Sequence, residues 1–153
     1  MLKKIHNNKR TKKGFTLIEV MLVLALIVII SGISAPVYQS FQLKNNLDVG
    51  VNATVQTLRR AQLLSQSGEG DSNWGVHIES GGATLFKGAD YATRETSFDE
   101  IFEISEDIVV AGMQNIVYSK LSGEPQTSGN IVLTTSTNET ETININSKGM
   151  IEY

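Results

Sequence analysis

The stretch GFTLIEVMLVLALIVII, Gly14 to Ile30, decides the reading of this chain, because a carboxylate sits near the start of a segment apolar enough for a bilayer. Across the 23 residues from Phe15 to Val37, Glu19 is the only charged side chain. About 20 apolar residues span a bilayer. A carboxylate in hydrocarbon costs on the order of 2.5–3.5 kcal/mol at mid-bilayer and less near an interface. A segment with no task beyond anchoring is better served by another leucine, so Glu19 asks for a counter-charge. A cut between Gly14 and Phe15 would supply one: the new ammonium would lie four residues from Glu19, on the same helical face. That amine, or its equivalent on a neighbouring copy, could then neutralise the acid.

The run Lys12-Lys13-Gly14-Phe15-Thr16-Leu17-Ile18-Glu19, followed by the long apolar segment, resembles the N-terminal signature of type IV prepilins and of the pseudopilins of type II secretion and DNA-uptake systems. The resemblance covers roughly the first third of the chain. It implies that a prepilin peptidase cleaves after Gly14 and N-methylates Phe15, and that Glu19 helps set subunit register during filament assembly. It also implies other pilin or pseudopilin subunits and an inner-membrane assembly platform as partners.

Charge is divided unevenly. Residues 1–14 carry Lys3, Lys4, Lys9, Arg10, Lys12 and Lys13 with no acid, so the overall −3 leaves −9 for residues 15–153. A basic segment directly before an apolar one stays cytoplasmic, which places the acidic body outside the inner membrane on a single-pass topology. Zero cysteines exclude a disulfide framework and a lipoprotein anchor. Two other membrane readings compete. A secretory signal needs a small-x-small site after the apolar run, and Gly32-Ile33-Ser34 beside Pro36 offers only a poor one. A plain anchor fits the length but leaves Glu19 without a task.

With 153 residues there is room for one domain and an extended helix. Leu47, Val51, Val55, Leu58, Ala61 and Leu64 recur at steps of four and three, an amphipathic stripe. The spacing predicts a helix from Phe15 to about Ser67, ended by Gly68 and Gly70 and roughly 80 Å long at 1.5 Å per residue. Pro36, four residues after Gly32, should kink or locally melt it, as a passive bend or as a hinge. The expected divisions are a basic leader over 1–14, a transmembrane and filament-core helix over 15–37, its amphipathic continuation over 38–67, and a β-rich head over 68–153.

Within the head, Trp74–Glu79 and Ala83–Phe86 flank Gly81-Gly82 as a hairpin. Residues 88–98 read as a loop. Strands follow at Ile101–Ile104, Ile108–Val110, Gln114–Tyr118, Asn130–Thr135, Thr140–Ile145 and Met150–Tyr153. The fold class is α+β: one long helix packed on an antiparallel sheet, pilin-like. Trp74-Gly75-Val76-His77-Ile78, Leu85-Phe86-Lys87-Gly88 and Thr142-Ile143-Asn144-Ile145 with Gly149, in that order, resemble the H-type minor pseudopilins and minor pilins.

Chemistry-bearing constellations are few. His77 is the only histidine outside the leader, so no zinc site is expected. Asp99, Glu100, Glu103, Glu106 and Asp107 lack calcium-loop spacing and read as a solvated acidic face. No Gly-x-Ser-x-Gly elbow or phosphate cradle exists, so neither a catalytic site nor a cofactor is expected. Seven cations beyond Gly14 (Lys44, Arg59, Arg60, Lys87, Arg94, Lys120, Lys148) face 16 acids. Such a body repels phosphates, so direct nucleic-acid binding is not expected. Asn52 and Asn138 open glycosylation-type sequons too short to carry weight. The reading is a prepilin-like precursor that enters a pilus or pseudopilus, with a membrane-tethered extracytoplasmic binding protein as the alternative.

Overall fold

The computed structural model describes residues 14–153, apart from the side chains of residues 33–36. Helix α1 occupies Leu17–Ser67, 51 residues. Eight strands follow: β1 Trp74–Glu79, β2 Gly82–Lys87, β3 Glu100–Glu103, β4 Val109–Gly112, β5 Asn115–Tyr118, β6 Gly129–Thr134, β7 Thr140–Ile145 and β8 Ile151–Glu152. A boundary between two compact units falls between Tyr38 and Gln39.

Before that boundary α1 is apolar all round, and among the described residues none of its large hydrophobic side chains is covered: Leu17, Ile18, Met21, Leu24, Ile27 and Ile30 are all exposed. It is long and apolar enough to cross a membrane. A helix of this kind is stable only where lipid or other apolar helices cover it. The helical assignment runs through Pro36 without interruption, so the expected local melting is absent. Proline removes one amide donor, and the helical bonds on either side are enough to carry the helix past it.

Beyond the boundary the helix becomes one wall of a core. Leu47, Val51, Val55, Leu58 and Ala61 are buried and Leu64 packs at the margin, the stripe that the spacing predicts. Two buried threonines widen it. Thr54 and Thr57 donate their hydroxyls to the Gly50 and Ala53 carbonyls at 2.8 Å, so neither is left unsatisfied. After Ser67 the helix stops at Gly68, left-handed at φ 70°, where glycine pays no Cβ penalty.

The head holds two antiparallel sheets of four strands where the sequence suggested one, in the orders β3-β2-β1-β5 and β4-β6-β7-β8. After β3 the chain passes through Ile104 and Ile108, both buried in the core beside α1 at Gly50. It then enters β4, which pairs with β6, before β5 returns to β1. Both sheets contribute to one core: Trp74, Val76, Ile78 and Leu85 from the first, Ile131, Leu133, Ile143 and Ile145 from the second.

The other face of the first sheet is also covered. Phe86 is fully buried yet lies outside the core cluster, because it alternates with Leu85 along β2. Its ring crosses β1 at Gly75, where a Cβ would collide with the ring and come within 2.9 Å of the Ile116 carbonyl oxygen. Residues 88–98, expected as a plain loop, contain two short 3-10 turns at Tyr91–Thr93 and Thr96–Phe98 and run on to Asp99. They lie across this face as a strap. Tyr91 stacks on His77 at 3.9 Å and meets Phe86 edge-on at 5.4 Å.

Candidate processing and assembly site

The residues singled out by the sequence sit at the start of α1. Gly14, Phe15 and Thr16 precede the helix and have no regular structure. The hydrogen-bond ladder begins at Thr16, whose carbonyl accepts from the Glu19 and Val20 amides at 3.1 and 3.2 Å. The Thr16 hydroxyl also accepts from the Glu19 amide at 3.3 Å, the contact by which an N-cap residue satisfies one of the orphan donors of a helix start. Thr16 is therefore the N-cap and Glu19 the third residue of the helix.

The spacing predicts a helix from Phe15, whereas α1 begins at Leu17, directly after Thr16. A signal was present: threonine followed three residues later by glutamate, before an apolar run, is the capping-box pattern. The position also modifies the account of Glu19. An acid in the first turn faces the positive end of the helix dipole, a stabilisation of about 0.3–1 kcal/mol at an exposed site. That offsets part of the cost of placing a carboxylate among apolar side chains without cancelling it. The carboxylate makes no hydrogen bond or ion pair among the described residues. Phe15 is 83% exposed, and it lines one shallow apolar recess together with Glu19, Val20, Val23 and Leu24. Phe15 and Glu19 thus share a face. The lysines and arginine of the leader and His6 lie outside the described residues.

Elsewhere several titratable groups are engaged by neighbours. His77 shares a 2.8 Å hydrogen bond with Asn115 beneath Tyr91. Within the acidic run, Asp99 takes the Arg94 guanidinium at 2.9 Å and Glu100 takes Arg60 at 2.7 Å. No group of three or more metal-ligating side chains forms among the described residues. Lys87 meets Glu95, Lys120 meets Asp71 at 2.6 Å and Lys148 meets Glu124 at 2.7 Å. The Lys120 hydrogen bond and charge hold the Asp71 carboxyl below its usual range, and Glu124 raises Lys148 in the same two ways. Asn52 donates its amide to the Asp48 carbonyl along α1, and Asn138 sits in the β6–β7 turn at φ 62°.

A capped, uncovered apolar helix that continues into a head of antiparallel sheets defines a pilin-like α+β protein. Residues 9–35 match the family model described as the prokaryotic N-terminal methylation motif. That motif makes the chain type IV prepilin- or pseudopilin-like; the match ends before the head begins. No curated protein and no solved structure matches the chain.

Proposed function

We propose that this chain is the precursor of a minor pilin or pseudopilin subunit. The methylation motif supports a precursor processed by a prepilin peptidase and assembled with other pilin subunits. In this reading the peptidase cuts between Gly14 and Phe15 and methylates the new amine. The basic leader (residues 1–14) remains cytoplasmic and the β-rich head (68–153) is extracytoplasmic. The stem over 15–37 passes from the inner membrane, at an assembly platform, into the filament core. A minor subunit is favoured by the small head and by the order of its H-like fragments.

The observation that carries the proposal is Glu19: an acid with no counter-charge among the described residues, one turn past Phe15, in a stretch of α1 whose large apolar side chains from Leu17 to Ile30 are all exposed. Packed among other stems out of register, it remains an uncompensated charge, which is strongly unfavourable. In register, the Phe15 amine of its own or a neighbouring stem meets it. Its use is therefore specificity of register rather than gross stability.

Mass spectrometry of the mature N-terminus tests the processing step. A methylated Phe15 is expected, whereas an intact Met1 identifies a tethered head without filament assembly. Glu19→Ala tests the assembly step. The variant should insert and be cleaved normally yet fall at least about tenfold in filament incorporation, because the Phe15 ammonium is then the unpaired buried charge. Incorporation at the wild-type level refutes the register role.

A further inference from the structure

We infer that Thr16 fixes the processing site by stopping α1 two residues short of the bond to be cut. The inference rests on the proposed cleavage after Gly14 and adds a positioning residue to it. Hydrolysis breaks the Gly14–Phe15 C–N bond; water gives its hydroxyl to the Gly14 carbonyl carbon and a proton to the Phe15 nitrogen. The peptidase therefore has to reach the Gly14 carbonyl and engage the backbone on both sides of it.

A carbonyl inside a helix is already committed to the amide four residues on, and its flanking chain is coiled. Gly14 and Phe15 escape that fate in this structure. The helical ladder starts with the Thr16 carbonyl, and the Thr16 hydroxyl takes the Glu19 amide. Phe15 stands 83% exposed ahead of the helix.

Nothing else in the local sequence halts the helix there. Phe15 and Leu17 are helix-compatible, and glycine is itself a tolerated N-cap. With Thr16 replaced by a residue that has no side-chain acceptor, the next usable cap upstream is Gly14. The scissile bond then joins the cap to the first helical residue and is drawn into the first turn. Thr16 thus acts on the bond through backbone conformation and takes no part in bond making.

The test uses the full-length precursor in membranes with a prepilin peptidase. It follows the initial rate of conversion and the mass of the product N-terminus for Thr16→Val, Thr16→Ala, Thr16→Ser and Thr16→Asn. Valine keeps the shape and loses the acceptor; serine and asparagine change the shape and keep an acceptor. Conversion of the valine and alanine variants should slow about three- to tenfold, the scale on which a lost cap redistributes helix starts. The serine and asparagine variants should stay within about twofold of wild type. A valine variant cut at the wild-type rate overturns the inference. So does slowing of serine and asparagine to the level of valine, which indicates recognition of side-chain shape. A wild-type chain left uncut after Gly14 instead overturns the processing reading itself. The thermal midpoint of the head serves as a control and should not move.

Discussion

Tyr118 closes β5 with its whole side chain in the core and its hydroxyl without a hydrogen-bond partner among the described residues. Its neighbourhood is otherwise well served. Ser65 donates to the Tyr118 carbonyl at 3.1 Å and accepts the Trp74 amide at 3.0 Å, tying β5 and β1 to the end of α1. The phenol keeps its place through the area its ring buries, while the oxygen has lost water without replacement, a cost of about 1–3 kcal/mol for a buried polar group. Tyr118→Phe removes the oxygen and keeps the ring. It should leave the head as stable as wild type at pH 7, or more stable by about 1 kcal/mol, in urea unfolding. The same group carries a pH dependence. Burial pushes the phenol up from its ordinary 10.0, because the phenolate is penalised in the core. Above about pH 10 the unfolded chain releases this proton while the folded chain retains it. Stability present in full below that pH is lost as pH rises through the folded value. Tyr118→Phe should flatten this alkaline limb in melts taken between about pH 9 and 11. A limb of unchanged slope assigns the loss to other groups.

The strap over residues 88–99 is the element whose behaviour follows least from its own sequence. Tyr91 sits between His77 at 3.9 Å and the Arg94 guanidinium at 3.8 Å, with Phe86 beneath. Arg94 is fixed in turn by Asp99 and by the Tyr91 carbonyl at 2.8 Å. At the far end Phe98 meets Trp74 edge-on at 6.2 Å and lies 4.5 Å from the Lys87 ammonium. Tyr91→Ala removes the cover of Phe86 and the middle layer of the stack, so a loss of about 2–3 kcal/mol is expected in urea unfolding. Fluorescence of Trp74, the only tryptophan, should stay native-like in the folded variant because its own pin is separate. A loss below about 0.5 kcal/mol shows that the strap does not hold this face. None of these contacts is periodic, which is why a sequence reading finds only a polar segment here. The hairpin β1–β2 was legible because Trp74, Val76 and Ile78 alternate with Gly75, His77 and Glu79 and a glycine pair supplies the turn. The buried stripe of α1 was legible for the equivalent reason at helical spacing. Splitting of the strands into two sheets was not, since alternation tells which face a strand buries and nothing about its neighbour. Thr16 belongs to a third kind: the Thr-x-x-Glu capping pattern is legible, but hydropathy does not separate the cap from the apolar run that follows it.

On the scale of the whole molecule, the buried side chains among the described residues lie on one side of the Tyr38–Gln39 boundary. Every member of the core cluster, from Leu47 to Ile145, falls after it. Before it, the large apolar side chains from Phe15 to Ile30 are exposed. Energetically the chain is a complete head joined to a helix whose hydrophobic gain is realised only against lipid or other stems. A fragment from Gln39 to Tyr153 should therefore fold alone. Its new start lies before the first buried residue, so fraying of a turn exposes little beyond Leu43, which is already only half-buried. The fragment should be soluble and monomeric. Its cooperative thermal unfolding should have a midpoint within about 5 °C of the head transition of the full chain in detergent, a shift worth about 1 kcal/mol for a domain of this size. The full chain should need detergent or membrane to stay dispersed. A fragment that is unfolded, or whose midpoint falls well beyond that margin, shows that residues before Gln39 stabilise the head and that the two units do not fold independently.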